Sequence, residues 1–193
     1  MSDTNSSLRR VFRYINRFQV LFWRLGLGRW MSSWPACMGT YMIITHYGRK
    51  SGKRYRTPLN FAMINGEIYC AVGFGSGCDW YRNLQENPQV EIWHPDGWYV
   101  GTAEEVQVSD ETLPILRKIM VNSGFVAKWM GLNAKTIPDE DLLEACRDYR
   151  LIHLKRTAPR TGRSGPGDLV WIWPVLLIMA LMGKRRRKRS CKK

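Results

Sequence analysis

Two short segments in the first half of the chain hold the residue types and spacings best suited to chemistry. Gly48-Arg49-Lys50-Ser51-Gly52-Lys53-Arg54-Tyr55-Arg56-Thr57-Pro58-Leu59 places five cations (Arg49, Lys50, Lys53, Arg54 and Arg56) within eight residues, bounded by Gly48 and Gly52. Glycines permit a tight turn with exposed backbone N–H groups, and guanidinium or ammonium groups beside such a turn suit a phosphate or a polycarboxylate. Asp79-Trp80-Tyr81-Arg82-Asn83-Leu84-Gln85-Glu86-Asn87-Pro88 reads as a short helix, capped by Asp79 and stopped at Asn87-Pro88, because the residue before a proline disfavours helical torsions. By composition alone the basic turn is ambiguous. Solvated turns, nucleic-acid patches and localisation signals share it, and Trp93, Trp98 and Tyr99 could stack on bases.

Charge distribution argues against nucleic acid. The 193-residue, 22.5 kDa chain has a formal charge of +14. From Lys155 onward there are 12 Lys/Arg against the single acid Asp168, so that tail carries +11 and residues 1–154 only +3. Basicity is mainly a property of an appendage, and flanking strand signals set the five-cation turn inside a hairpin, where a localisation peptide would not sit. Five scattered cysteines (Cys37, Cys70, Cys78, Cys146 and Cys191) show no C-x-x-C pair, and His46, His94 and His153 fall in or at the ends of expected strands. Reduced thiols, structural histidines and no metal site are expected.

The elements that must position the two segments are mostly strands. Tyr41–Tyr47 is β-branched and apolar, Thr57–Ile64 follows the turn, and Asn65-Gly66 is a two-residue hairpin signal leading into 67–73. Further strands are expected at Gln89–His94, at Trp98–Val108 after a Pro95-Asp96-Gly97 turn, and at Tyr149–Lys155. Helices interrupt them: the one at Asp79, one from Ser109 or Asp110 to about Met130 with Gly131 beyond it, and one over Pro138–Cys146. Antiparallel strands enclosing few helices predict an α+β β-barrel or roll over residues 40–156.

Both ends carry appendages. In residues 1–39, Leu8, Val11, Phe12, Ile15, Phe18, Leu21, Phe22 and Leu25 recur at helical spacing with five arginines between them, a basic amphipathic helix rather than a signal peptide. Residues 157–168 read as a Gly/Pro/Ser/Arg linker, and 169–193 as an anchor: 14 consecutive apolar residues, Leu169–Met182, precede the block Lys184–Arg189. Fourteen residues of helix reach only about 21 Å against a hydrocarbon core of about 30 Å, with arginines on both sides. An interfacial or hairpin anchor on an anionic, cytoplasm-facing membrane surface is expected.

Gly48-Arg49-Lys50-Ser51-Gly52, Thr57-Pro58-Leu59, the glycine-rich 73–77 and Trp80-Tyr81-x-Asn83-Leu84-x-x-Asn87-Pro88-x-Val90, in that order, resemble the deazaflavin-dependent nitroreductase family, also termed the nitroreductase/quinone reductase family. The similarity covers roughly residues 40–156. It implies a split β-barrel that binds a reduced 8-hydroxy-5-deazaflavin coenzyme, coenzyme F(420), whose phosphate and oligoglutamate tail are anionic, and passes its hydride to quinones or nitro-aromatic compounds. On the matching positions, Arg49, Lys50, Ser51 and Gly52 would hold the phosphate and tail, Pro58 would fix the start of the strand, Ala71, Gly73 and Gly75 would lie against the ring, and Trp80 and Asn83 would support that side of the pocket.

Two departures stand out. The family places an arginine three residues after the second glycine, where this chain has Tyr55, so either Arg54 or Arg56 takes over, although both alternate away from Tyr55 on a strand, or the phosphate grip is altered. The loop from Gly73 to Trp80 is about three residues short of the family pattern. A hydride-donating coenzyme needs orientation and dryness from the protein rather than an acid–base triad; Tyr81 and Tyr149 are the candidate hydroxyls for the acceptor. The alternatives left open are an FMN-type split-barrel oxidoreductase and a non-catalytic split-barrel ligand-binding protein, with nucleic-acid binding last.

Overall fold

The computed structural model describes residues 14–31, 39–73, 75–123, 133–134 and 136–190, the last eight of these as backbone. The expected helical residues before 14, Cys37, Phe74, the stretch toward Met130 and Gly131, and Cys191 lie outside them. Helix α1 covers residues 14–24, followed by the single turn α2 (Gly28–Met31). Then come β1 (Tyr41–Tyr47), β2 (Arg54–Ile64), β3 (Glu67–Val72), α3 (Asp79–Glu86), β4 (Gln89–His94), β5 (Gly97–Val106), α4 (Leu113–Asn122), α5 (Asp139–Ala145), β6 (Arg150–Pro159) and α6 (Ile172–Ser190).

The six strands close into an antiparallel barrel in the order β1-β2-β3-β6-β5-β4, sealed where Ile43–Thr45 pair with Trp93–Glu91. The β2–β3 hairpin turns on Asn65 and Gly66 with φ of 53° and 83°, the left-handed pair that a two-residue turn requires. Alternation divides the barrel wall. Met42, Ile44, Phe61, Ile68, Cys70, Ile92, Ile152 and Leu154 fill the interior, where α3 adds Tyr81 and Leu84. Burial in this interior pushes the Cys70 thiol up to about 12.

Two outer faces are covered as well. Helices α4 and α5 bury Leu116, Met120, Leu142, Cys146 and Tyr149 against Ala71, while α1 lays Trp23 on Tyr41, Ile43, Trp93 and Trp98. Because of that second cover, β1 and β4 are buried on both faces.

Several bounds differ from expectation. Strand β2 begins at Arg54, not Thr57, since Arg54–Thr57 find antiparallel partners in Tyr47–Ile44. Cys78 rather than Asp79 is the cap residue of α3, leaving Asp79 in the first turn. The helix expected from Ser109 is a short 3-10 turn, Asp110–Thr112, followed by α4. Strand β6 passes Lys155 to Pro159, because the β4–β5 hairpin extends its ladder to Tyr99↔Pro159 across a bulge at Val100/Gly101.

The residues beyond β6 dock on α1. Arg24 grips the Asp168 carboxylate through Nε at 2.9 Å and Nη2 at 2.9 Å, the Gly167 and Leu169 N–H groups donate to the Trp23 and Arg24 carbonyls, and Trp173 donates from Nε1 to Leu25 O. Among the described residues no helix is long and apolar enough to cross a membrane.

Candidate functional site

The turn between β1 and β2, the exit of β3 and the start of α3 meet at one end of the barrel. Ser51 and Gly52 N–H groups close the turn on Gly48 O, and Gly52 adopts φ 62°. A Cβ on Gly48 would lie 2.7 Å from the Tyr55 ring and 2.8 Å from Ser51 Oγ, so this position must be glycine for Tyr55 to fold over the turn. A Cβ on Gly52 would meet nothing within 4 Å, which leaves open space on that side of the cations. Lys50 and Lys53 are exposed, and no ion-pair partner holds either ammonium among the described residues.

Asn83 connects this turn to α3. Its Oδ1 accepts from the Arg49 backbone N–H at 3.1 Å and from Arg49 Nη1 at 3.1 Å, while Arg49 Nη2 reaches Asp79 Oδ1 at 3.0 Å. Asn83 Nδ2 lies 3.1 Å from His46 Nδ1, and His46 Nε2 lies 3.0 Å from Thr57 Oγ1. Burial pushes the His46 imidazole down to about 4, against the smaller opposing pull of Asp79. The two segments singled out by their residue types are thus one hydrogen-bonded unit.

Of the expected site residues, Arg49, Lys50, Ser51, Gly52 and Asn83 come together at this end, with Pro58 further along β2 opposite Ile43. Gly73 lies at the β3 exit, where an added Cβ would make ordinary contact with the Tyr149 ring at 3.5 Å, and Gly75 follows with φ 69°. Trp80 packs on the interior cluster; Ala71 faces outward against α4 and α5.

Arg54 and Arg56 are not brought to this end of the site. They project to the outer wall, where Arg54 Nη2 holds buried Glu91 at 2.7 and 2.9 Å and Arg56 lies 4.7 Å over the Trp93 ring and donates to Ser164 O. Strand alternation sends them there: Tyr55, between them, stacks on His46.

The two candidate tyrosines differ. Tyr81 OH donates to Glu105 Oε2 at 2.7 Å and accepts from Gln85 at 2.8 Å, and burial with the Glu105 contact raises its pKa. Tyr149 stands at the rim against Gly73, its pKa raised by burial and then by Cys146. A cavity of about 270 Å³ between Trp23, Trp98, Pro166 and the 94–97 turn opens at the other end of the barrel.

Spacing alone did not mark His46 or Glu91. A carboxylate inside the apolar run Val90-Glu91-Ile92-Trp93 was the available signal that cations must converge on the outer face of β4.

The described strands thus form a closed six-stranded antiparallel barrel with an anion-suited turn at one mouth. The profile of the family described as F420H(2)-dependent quinone reductase matches residues 16–136, and the chain belongs to that family. It is a deazaflavin-dependent oxidoreductase with coenzyme F(420), in place of the FMN-type or non-catalytic readings.

Among solved structures it is similar to HutZ, the heme storage protein of Vibrio cholerae (14% identity, 63% of this chain and 82% of that one, TM-score 0.42). It is also similar to a conserved hypothetical protein of Mycobacterium tuberculosis (16%, 66% and 77%, TM-score 0.43) and to an F420-H2 dependent reductase (21%, 60% and 93%, TM-score 0.38). No curated protein matches the chain.

Proposed function

We propose that the protein reduces a lipophilic acceptor, quinone-like or nitro-aromatic, at an anionic membrane surface, and that Arg49, Lys50, Ser51 and Gly52 hold the phosphate and oligoglutamate of its coenzyme. The residues fit that group: exposed unpaired ammonium groups, a glycine turn with open space beside it, and an arginine already fixed by Asn83 and Asp79. When bound, the reduced coenzyme supplies a hydride, so reducing a quinone to a hydroquinone takes one further proton. The chain's own work is to orient the coenzyme through the basic turn, to present the small residues Gly73 and Gly75 to a flat ring, and to exclude water. Tyr149, near Gly73, and Tyr81, hydrogen-bonded to Glu105 and Gln85, are the two candidate hydroxyls for the acceptor.

The observation that carries the membrane reading is a run of exposed apolar side chains on two helices joined to each other. On α1, Tyr14, Ile15, Phe18 and Leu21 are exposed; on the tail, so are Val170, Trp171, Trp173, Leu176, Leu177, Ile178 and Met179. Soluble surfaces do not leave such patches bare without a partner. Tryptophans at the rim, with Lys184–Arg189 following in sequence, suit an interfacial anchor on anionic lipid, and a membrane-dissolved quinone would meet the barrel there.

Fluorescence titration with coenzyme F(420) tests the clamp. The double change Arg49→Ala, Lys50→Ala removes charge-assisted contacts of about 1.5–3 kcal/mol each and is expected to weaken binding at least about tenfold. Unchanged affinity would remove the basic turn from the coenzyme site. For the membrane, the full chain is expected to co-sediment with phosphatidylglycerol vesicles and to be released by deletion of Leu169–Lys193. Sedimentation that survives the deletion would transfer the anchoring to α1.

A further inference from the structure

The donors and acceptors around Asn83 can be assigned without ambiguity. Arg49 offers only donors, its backbone N–H and Nη1, so the Asn83 atom facing both must be the carbonyl oxygen. The Asn83 amide nitrogen, which can only donate, then faces His46 Nδ1, and that nitrogen must carry a lone pair. The His46 proton therefore sits on Nε2 and is donated to Thr57 Oγ1. Donation runs one way, from Arg49 to Asn83 to His46 to Thr57, a chain in which each bond polarises the next.

We propose that His46 is a positioning residue of the coenzyme's anion site: by accepting at Nδ1 it fixes the orientation of the Asn83 amide, and so holds Arg49 and the Gly48–Lys53 turn ready for phosphate and carboxylate. A reversed amide would set Asn83 Nδ2 against two Arg49 donors, and the turn would lose both of its hydrogen bonds to Asn83, leaving only the Arg49 contacts with Asp79 to tie it to α3. The imidazole is 3% exposed, with Tyr55 and Thr57 facing it from β2 and Asn83 from α3. Asp79 of α3 and the Arg49 guanidinium are the nearby charges, and they pair with each other. Burial keeps the ring neutral, as an acceptor at Nδ1 requires. The side chain touches no coenzyme in this role and acts through Asn83 and Arg49.

The inference rests on the reading of the basic turn as the coenzyme's anion clamp, and the test separates the two. The full-length protein is titrated with coenzyme F(420) and with 8-hydroxy-5-deazaflavin riboside, which keeps the ring and lacks the phosphate and glutamates. His46→Asn places an amide oxygen where Nδ1 was; His46→Gln reaches Thr57 but leaves no acceptor for Asn83; His46→Phe keeps the ring shape without nitrogens, a second reporter of the same loss.

His46→Gln and His46→Phe are expected to raise the Kd for the coenzyme about tenfold, or 1.4 kcal/mol, while riboside binding changes less than about twofold, and His46→Asn is expected to bind the coenzyme within about threefold of the parent. The assignment is overturned if His46→Asn is as weak as His46→Gln, if coenzyme binding is unaffected by His46→Gln and His46→Phe, or if riboside binding falls in step with coenzyme binding, which would mean a merely structural role. If Arg49→Ala, Lys50→Ala leaves coenzyme affinity unchanged, the clamp reading itself is what has failed.

Discussion

Arg54→Ala is expected to lower the thermal midpoint by roughly 5–10 °C and to leave the Kd for coenzyme F(420) within about twofold of the parent. The physical basis is Glu91, 2% exposed in β4, whose carboxylate receives Arg54 at 2.7 and 2.9 Å and Arg160 at 3.1 Å. Removing one partner of a buried pair leaves charge uncompensated and typically costs about 3–5 kcal/mol. Arg160 stays and the Arg54 side chain is 39% exposed, so a cost of about 2–3 kcal/mol is the appropriate end. A domain of this size loses roughly 2–4 °C per kcal/mol.

The result decides between two uses of the same cation. If Arg54 substituted for the family's arginine at the Tyr55 position, its loss would spare stability and weaken coenzyme binding. Its placement on the outer wall, with Arg56 on Trp93 and Arg160 on Trp98, makes it part of what fastens the barrel to its terminal segments. A melt unchanged by Arg54→Ala together with lost coenzyme affinity would put Arg54 back in the clamp.

Local chemistry made much of the barrel readable in advance. Asn65-Gly66 specifies its hairpin through backbone torsions that few other pairs adopt, Pro88 ends α3 by removing a helical conformation from Asn87, and the β-branched, apolar run Tyr41–Tyr47 marks β1. What could not be read was the cover on each outer face. Alternation indicates that Arg54 and Arg56 share a side, but nothing near them says that Glu91, 37 residues after Arg54, lies there, or that α1 and the 160–170 segment close over it.

The same limit explains the linker expectation. Gly165 and Gly167 look like flexible spacers, yet a Cβ on Gly165 would fall 2.4 Å from the Trp98 ring, so its smallness serves close packing against a residue 67 positions away in sequence. His46 was opaque for a related reason: Tyr55 and Thr57 follow from hairpin register, whereas Asn83 depends on how α3 docks on the barrel mouth.

The docking of α3 on His46 should also be visible as acid sensitivity. With its folded pKa depressed to about 4 from an ordinary 6.5, His46 binds its proton more readily in the unfolded chain than in the folded one. The unfolded state takes up more protons in that interval, so stability rises with pH from about 4 to about 6.5 and is lost as pH falls through the same window. One such group contributes up to about 1.4 kcal/mol per pH unit, or about 3 kcal/mol across the interval. His94, also depressed by burial, acts in the same direction. His46→Asn has no proton to take up, so its unfolding free energy from denaturant titrations at successive pH values is expected to fall less steeply below pH 6.5, by up to one proton's share. The amide keeps the Asn83 contact, so the comparison isolates the titration from the packing. Equal slopes in the two proteins would mean that the ring opens to solvent and takes its proton while folded, and Asn83 would then have no fixed acceptor.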